Sequence, residues 1–479
     1  MKLAAQRQSK PEISDPGLVR AIGLRSAVLF VITNVVGSAI FLTPGIMAKA
    51  LPSEPLLLLA WVIGGIIALC GGLTYAEMGA MYPRSGGLYV FLEEAFGPLV
   101  GFLYGWAAVL VIVTGATAAV AMGFATYFSY FVPAVSTTHI IAMIPLPWGQ
   151  WTISAAQILA AGSILAIAAI NYFGIKSGNR VQAALTTVKI AAIALLPILA
   201  IVRHPAKLSL KTVAAPVTHP ALAFGVVMVA VMWAYEGWYY LPFSAGEIAD
   251  ASRTLPRALI FGVFGVAAIY LSVNVAYMLA LPLSQAQGVE RIAEKAMMAL
   301  IGSGGAGLVA AIVILSTLGC NAAAIIVQSR ACYAMASDGL FFRAAGKVHP
   351  RYRTPHVAII LTSCWSALLT LTGTYEQLYT WVTFVSVAFG VLGGLAIFRL
   401  RRLRPDVPRP YRTWGYPVVP IIFIAALLAL VINTFLALPR ASLLGIAMVA
   451  LGLPAYWYWA RTARVTSRKS MSAHNPDRL

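Results

Sequence analysis

Thr33-Asn34-Val35-Val36-Gly37-Ser38-Ala39-Ile40-Phe41 breaks an apolar segment at its middle, with a glycine set among polar neighbours. A second stretch, Trp233-Ala234-Tyr235-Glu236-Gly237-Trp238, breaks another apolar segment in the same way and adds a carboxylate. Inside a bilayer such a break leaves amides and carbonyls that no bulk water can satisfy. Breaks of this kind persist where the freed groups line a cavity, and a matched pair in two halves of a chain points to a transporter's substrate site. Close helix packing would account for Gly37 alone, but it accounts poorly for two matched breaks.

Composition agrees with a membrane setting. The 479 residues are 60% hydrophobic and 10% charged, too little charge to cover a soluble surface. The formal net charge is +19. A nucleic-acid binder would gather that charge on a soluble domain, whereas here it falls in loops between apolar runs. The segment Met1 to Arg20 is polar, holds Pro11 and Pro16, and lacks the apolar core and cleavage site of a signal peptide, so none is expected. Cys70, Cys320, Cys332 and Cys364 fall inside apolar runs without metal or redox spacing and read as small core residues. His139, His204, His219, His349, His356 and His474 are scattered, with no metal-binding spacing. No nucleotide loop occurs either. The chain is therefore expected to use no metal or cofactor, and an integral membrane enzyme is the less favoured class.

A helical span needs about twenty apolar residues, and on that criterion the fold class is an all-α integral membrane protein of twelve transmembrane helices. Residues 1–20 form an N-terminal tail, 21–202 five spans, 219–400 five more, 416–460 two additional C-terminal helices, and 461–479 a second tail. The first and sixth helices are the broken ones. Five spans per half make the second half enter from the opposite face, a five-plus-five inverted repeat. Arg20, Arg25, Arg84, Arg253, Arg257, Arg343, Arg351, the run Arg399 to Arg404, and Arg461 to Lys469 share one face. That face is expected to be cytoplasmic, with both termini inside the cell membrane. Ser284 to Ile301 reads as a short surface helix on the opposite face, with Val289, Ile292, Ala293 and Ala296 at helical spacing.

Beyond the breaks, the chain carries Tyr75-Ala76-Glu77-Met78-Gly79, Pro83-Arg84-Ser85-Gly86-Gly87-Leu88-Tyr89, Ala95-Phe96-Gly97-Pro98, Gly246-Glu247-Ile248 and Arg253-Thr254-Leu255-Pro256-Arg257-Ala258. Together with Val36 to Phe41 and Ala234 to Trp238, these resemble the amino acid–polyamine–organocation superfamily, in its L-type amino acid transporter branch. The resemblance implies ten core helices with two added, and amino acid transport by alternating access. It departs at Ala39, where the family shows a second glycine. It departs also in the loop Val132 to Gln150, which lacks the cysteine through which animal members hold a heavy chain. A monomer in the lipid bilayer is expected, with no disulfide-linked partner and no nucleic acid.

For a zwitterionic substrate the resemblance points to the breaks themselves. Amides at the start of a half-helix attract a carboxylate, a role for Ser38, Ala39 and Ile40 beside Gly37. Carbonyls ending the preceding half-helix suit an ammonium, a role for Thr33, Asn34 and Val36, with Trp233, Ala234, Tyr235 and Gly237 from the second break. Trp233 lines the pocket as a gate or packs as core. Glu236 lies at mid-membrane, where a charge is costly and usually functional. A transporter of cystine and dibasic amino acids in this branch has an acid at the matching place. A cation-binding carboxylate, a proton carrier and a structural ion pair with Lys189 all remain open for Glu236. Lys189, with Ser316 and Thr317, matches the place where sodium-driven relatives hold an ion, which implies sodium independence; snorkelling is the alternative. Glu77, Arg84, Glu247, Arg253, Arg330 and Asp338 form either an inner gate or ordinary solvated charges. The expected function is a secondary active transporter of L-amino acids, cationic or broad in specificity, working by exchange or proton symport. A polyamine permease is the nearest alternative.

Overall fold

A computed structural model describes residues 22–83, 86–146, 149–173, 178–203 and 219–461, with the side chains of 146, 149, 178–189, 192, 243, 244, 246 and 247 outside the description. Arg84 and the side chains of Lys189 and Glu247 therefore lie outside the described residues.

In chain order the helices begin with α1 (Leu24–Val35), α2 (Ala39–Ala50), α3 (Glu54–Met81), α4 (Leu88–Phe96), α5 (Pro98–Ala107) and α6 (Val113–Phe128), the last two joined by a π-helical turn at Ala108–Ile112. A hairpin of β1 (Ile140–Leu146) and β2 (Gly149–Ser154) precedes α7 (Ala155–Tyr172), α8 (Gly178–Arg203) and α9 (Pro220–Ala234). A 3₁₀ helix at Trp238–Glu247 leads to α10 (Ala251–Ala280), α11 (Leu283–Ala286), α12 (Ile292–Ile301) and α13 (Ser303–Ser337). The chain ends in α14 (His356–Thr370), α15 (Tyr375–Leu403), α16 (Val418–Ala437) and α17 (Pro439–Ala450).

Among the described residues nine helices are long and apolar enough to cross a membrane, and α1 with α2, bent by 41° at their junction, make a tenth. Two shorter apolar stretches, Ile193–Arg203 and His356–Thr370, fall where the fifth and ninth spans are expected. The fold is thus that of a multi-span helical membrane protein. Among the described residues it also holds the β1–β2 hairpin, antiparallel from Ala142↔Ile153 to Leu146↔Gly149, and an isolated bridge between Ile22 and Ile248. The hairpin runs directly into the fourth span, which starts at Ala155. There Ser154 and Gln157 close a reciprocal capping box that satisfies two orphan amides.

The core sits around the two breaks. Helix α10 packs along α3 and α1, α13 along α6, and α15 along α16 and α6. The expected surface helix resolves into α11 and α12, and α12 turns Ile292, Ala293, Ala296 and Met297 inward. The cysteines depart from expectation at two positions, Cys320 being only half-buried. Cys70 and Cys332 are buried, but Cys364 is exposed on α14, because a helix immersed in lipid can present apolar and small residues outward as readily as inward.

Candidate functional site

Helix α1 ends at Val35, and the Gly37 amide turns back to donate to the Val35 carbonyl at 2.8 Å. Helix α2 then starts afresh at Ala39. The first amides of a helix have no intrahelical acceptor. Among the described residues those of Ser38, Ala39 and Ile40 find no other backbone acceptor, while that of Phe41 reaches the Ser38 carbonyl at 3.1 Å. Amides left without acceptors at a helix start suit an anion. All three residues are buried here, with Ser38 at 1%, Ala39 at 4% and Ile40 at 0% exposure. Thr33 and Asn34 donate their side chains back to the Leu29 and Phe30 carbonyls, at 2.6 and 2.8 Å.

The second break has a different build. Helix α9 ends at Ala234, the Glu236 amide donates to the Trp233 carbonyl at 3.1 Å, and Gly237 takes φ +108°. The chain continues as a 3₁₀ helix. The two breaks touch, because a methyl on Gly237 would lie 2.9 Å from the Asn34 carbonyl oxygen. Tyr270 of α10 spans them, its hydroxyl 2.8 Å from the carbonyls of both Val35 and Ala234. The Ala234 carbonyl, expected to serve an ammonium, is taken by Tyr270, a residue outside the sequence candidates. The only available signal was a tyrosine in the middle of an apolar span. Tyr235 points away from the break, donating to the Trp61 carbonyl at 3.2 Å.

Trp233 is 5% exposed and stacks on Tyr379, with ring centroids 6.1 Å apart and planes 14° off parallel. Its indole N–H donates to Tyr375 Oη at 2.9 Å, and that oxygen lies 3.3 Å from Ser38 Oγ. Tyr375 and Tyr379 stand on the first turns of α15, whose start is fixed by a capping box of Thr374 and Gln377.

Glu236 is partly buried. Its carboxylate accepts from the hydroxyls of Tyr239 and Ser386, the latter at 2.9 Å, and these two hydroxyls lie 2.8 Å apart. Among the described residues no Lys, Arg or His pairs with it. The cavity on which it opens measures about 30 Å³ and is walled by rings of Tyr75, Tyr104, Trp238, Tyr239 and Phe423. That volume suits a water molecule or two, not an amino acid. Ser386 lies eleven residues beyond Tyr375 on α15, roughly 16 Å along a helix. The amide end and the carboxylate end of the site are thus at different levels.

The remaining sequence candidates are less closely gathered. Helix α8, which carries Lys189, packs on α13, which carries Ser316 and Thr317. Ser316 Oγ is buried without a partner among the described residues, and Thr317 donates to the Val313 carbonyl at 2.8 Å. Glu77 is fully buried and takes its cations from a place the sequence did not suggest. Arg401 binds it at 2.9 and 2.7 Å, Arg409 approaches to 3.6 Å, and the Thr413 amide donates at 2.7 Å. Arg253 meets Asp250 at 3.9 Å on the surface, and Asp338 accepts from Tyr89 Oη at 3.3 Å. Arg330 stands on α13.

Two broken helices in contact, one ending in free amides and the other carrying a carboxylate, inside an apolar bundle, define a membrane transporter. The amino acid permease family profile matches residues 22–454. The chain belongs to that family, in the L-type amino acid transporter branch of its superfamily. It is 30% identical to the serine/threonine exchanger SteT of Bacillus subtilis (strain 168) over 446 residues, covering 92% of this chain and 97% of the relative. It is 30% identical over 474 residues to the human large neutral amino acids transporter small subunit 2, covering 95% and 84%. It is 27% identical over 470 residues to the Asc-type amino acid transporter 1 of Mus musculus, covering 94% and 84%.

Proposed function

We propose that this permease moves L-amino acids across the cytoplasmic membrane by alternating access, with both termini cytoplasmic and a preference for cationic or broad substrates. The observation that carries the reading is the pair of breaks with unequal endings. Free amides at Ser38 to Ile40 suit the carboxylate common to every amino acid. Glu236 supplies a charge that has only hydroxyl partners among the described residues, and so is available to a cation. Its position three turns along α15 from Tyr375 favours the substrate's side chain over its α-ammonium.

Relatives named for serine and threonine or for large neutral amino acids support amino acids as the cargo. The word exchanger in one name supports exchange as the mode, with proton symport through Glu236 as the other. Sodium independence follows the matched position of Lys189. The loop Val132 to Gln150 contains no cysteine, and we place the chain in the membrane as a monomer without a disulfide-linked partner. A ligand stabilises the state that binds it, so a thermal-shift screen of the purified protein against all amino acids and putrescine tests the reading. Stabilisation by arginine or lysine supports it, and stabilisation by putrescine alone overturns it.

A further inference from the structure

Three hydrogen-bonding groups from three separate segments meet at Tyr375, and their donor inventory fixes the direction of the Trp233 bond and leaves the Tyr375 proton available to Ser38. The indole N–H of Trp233 can only donate, so Tyr375 Oη is the acceptor of that 2.9 Å bond. The phenolic proton is then free for Ser38 Oγ, 3.3 Å away. Ser38 Oγ has no other hydrogen bond among the described residues, so its own proton remains available. Ser38 stands beside the three unpaired amides that open α2.

We infer that Tyr375 is a positioning residue. It orients the Ser38 hydroxyl as a donor to the substrate's α-carboxylate and ties that contact to the Trp233 gate. This rests on the carboxylate reading of Ser38 to Ile40. The chain runs Trp233 N–H to Tyr375 O–H to Ser38 O–H to carboxylate, each group donating to the next. Hydrogen bonds polarise one another along such a chain. The anchor is firm, because Tyr375 is 7% exposed and opens a capped helix, whereas Ser38 and Trp233 belong to the two broken helices. Loss of the carboxylate contact therefore frees Trp233 as well. The tyrosine acts through Ser38 and need not touch substrate itself.

The test uses the full chain in proteoliposomes and compares an amino acid with its α-carboxamide, as arginine with argininamide and leucine with leucinamide. The native protein is expected to prefer the free acid of at least one pair. Tyr375→Phe should raise KM for the free acid about tenfold, the scale of one hydrogen bond to a charged group. It should leave Vmax near native and narrow the acid-over-amide preference. Ser38→Ala should narrow that preference equally, and the double variant should add nothing further. If the native protein does not distinguish acid from amide, the carboxylate reading itself fails. If the native protein distinguishes them and Tyr375→Phe does so equally well, or loses Vmax for acid and amide alike, the role of Tyr375 is overturned.

Discussion

Gly237 and Asn34, from opposite halves of the chain, meet so closely that a methyl on the glycine would lie 2.9 Å from the asparagine's carbonyl oxygen. Gly237 also takes φ +108°, a conformation that an L side chain adopts at a cost of about 1–3 kcal/mol. Gly237→Ala is therefore expected to lower the unfolding temperature and to abolish uptake, since the two breaks can no longer seat together. Thermal unfolding in detergent, paired with vesicle uptake, reads both. Native values of each would mean that the breaks do not meet in the working protein.

Glu236→Gln keeps the side chain's shape and removes its charge. Arginine uptake should fall about tenfold or more, as expected when one member of a close charge pair is lost, while leucine uptake stays within about threefold. If Glu236 carries a coupled proton instead, the variant flattens the pH dependence of uptake for every substrate. Unchanged selectivity together with an unchanged pH profile would leave only a structural role.

Near the C-terminal end of α3, Glu77 is fully buried against Arg401, Arg409 and the Thr413 amide. Arg401→Ala removes the two side-chain hydrogen bonds to this carboxylate, leaves it Arg409 and the Thr413 amide, and should destabilise the protein by about 1.5–3 kcal/mol. The double variant with Glu77→Ala should cost less than the two singles added together, because the interaction between them is then lost only once. A strictly additive cycle would show that the pair is not coupled.

If Lys189 takes the place of a coupling ion, as proposed, uptake should be the same in sodium and in choline buffers. Counterflow in vesicles of matched osmolarity is the direct comparison. Sodium-stimulated uptake would assign Ser316 and Thr317 to a working ion site.

The breaks were legible because Gly37, Ser38, Glu236 and Gly237 are poor mid-membrane chemistry. Their partners were not. Tyr270 reaches Val35 across 235 positions, Trp233 reaches Tyr375 across 142, and Arg401 reaches Glu77 across 324. In a soluble protein the period of apolar residues tells which helix face turns inward. A membrane helix that is apolar all round gives no such signal, so nothing marked Tyr375 or Ser386 as facing the breaks. The hairpin was missed for a related reason. Ile140 to Leu146 is a short apolar run, which periodicity alone does not assign to a strand.

Competition against radiolabelled arginine, in proteoliposomes of the native protein and of Glu236→Gln, separates an amino acid site from a polyamine site. In the former the paired breaks hold a whole amino acid, by its carboxylate at Ser38 to Ile40 and by a cationic end at Glu236. The expected result is that lysine competes, putrescine competes at least about tenfold more weakly, and the Glu236→Gln protein loses its preference for lysine over leucine. Equal competition by putrescine and lysine, with the preference unaltered in Glu236→Gln, would contradict it.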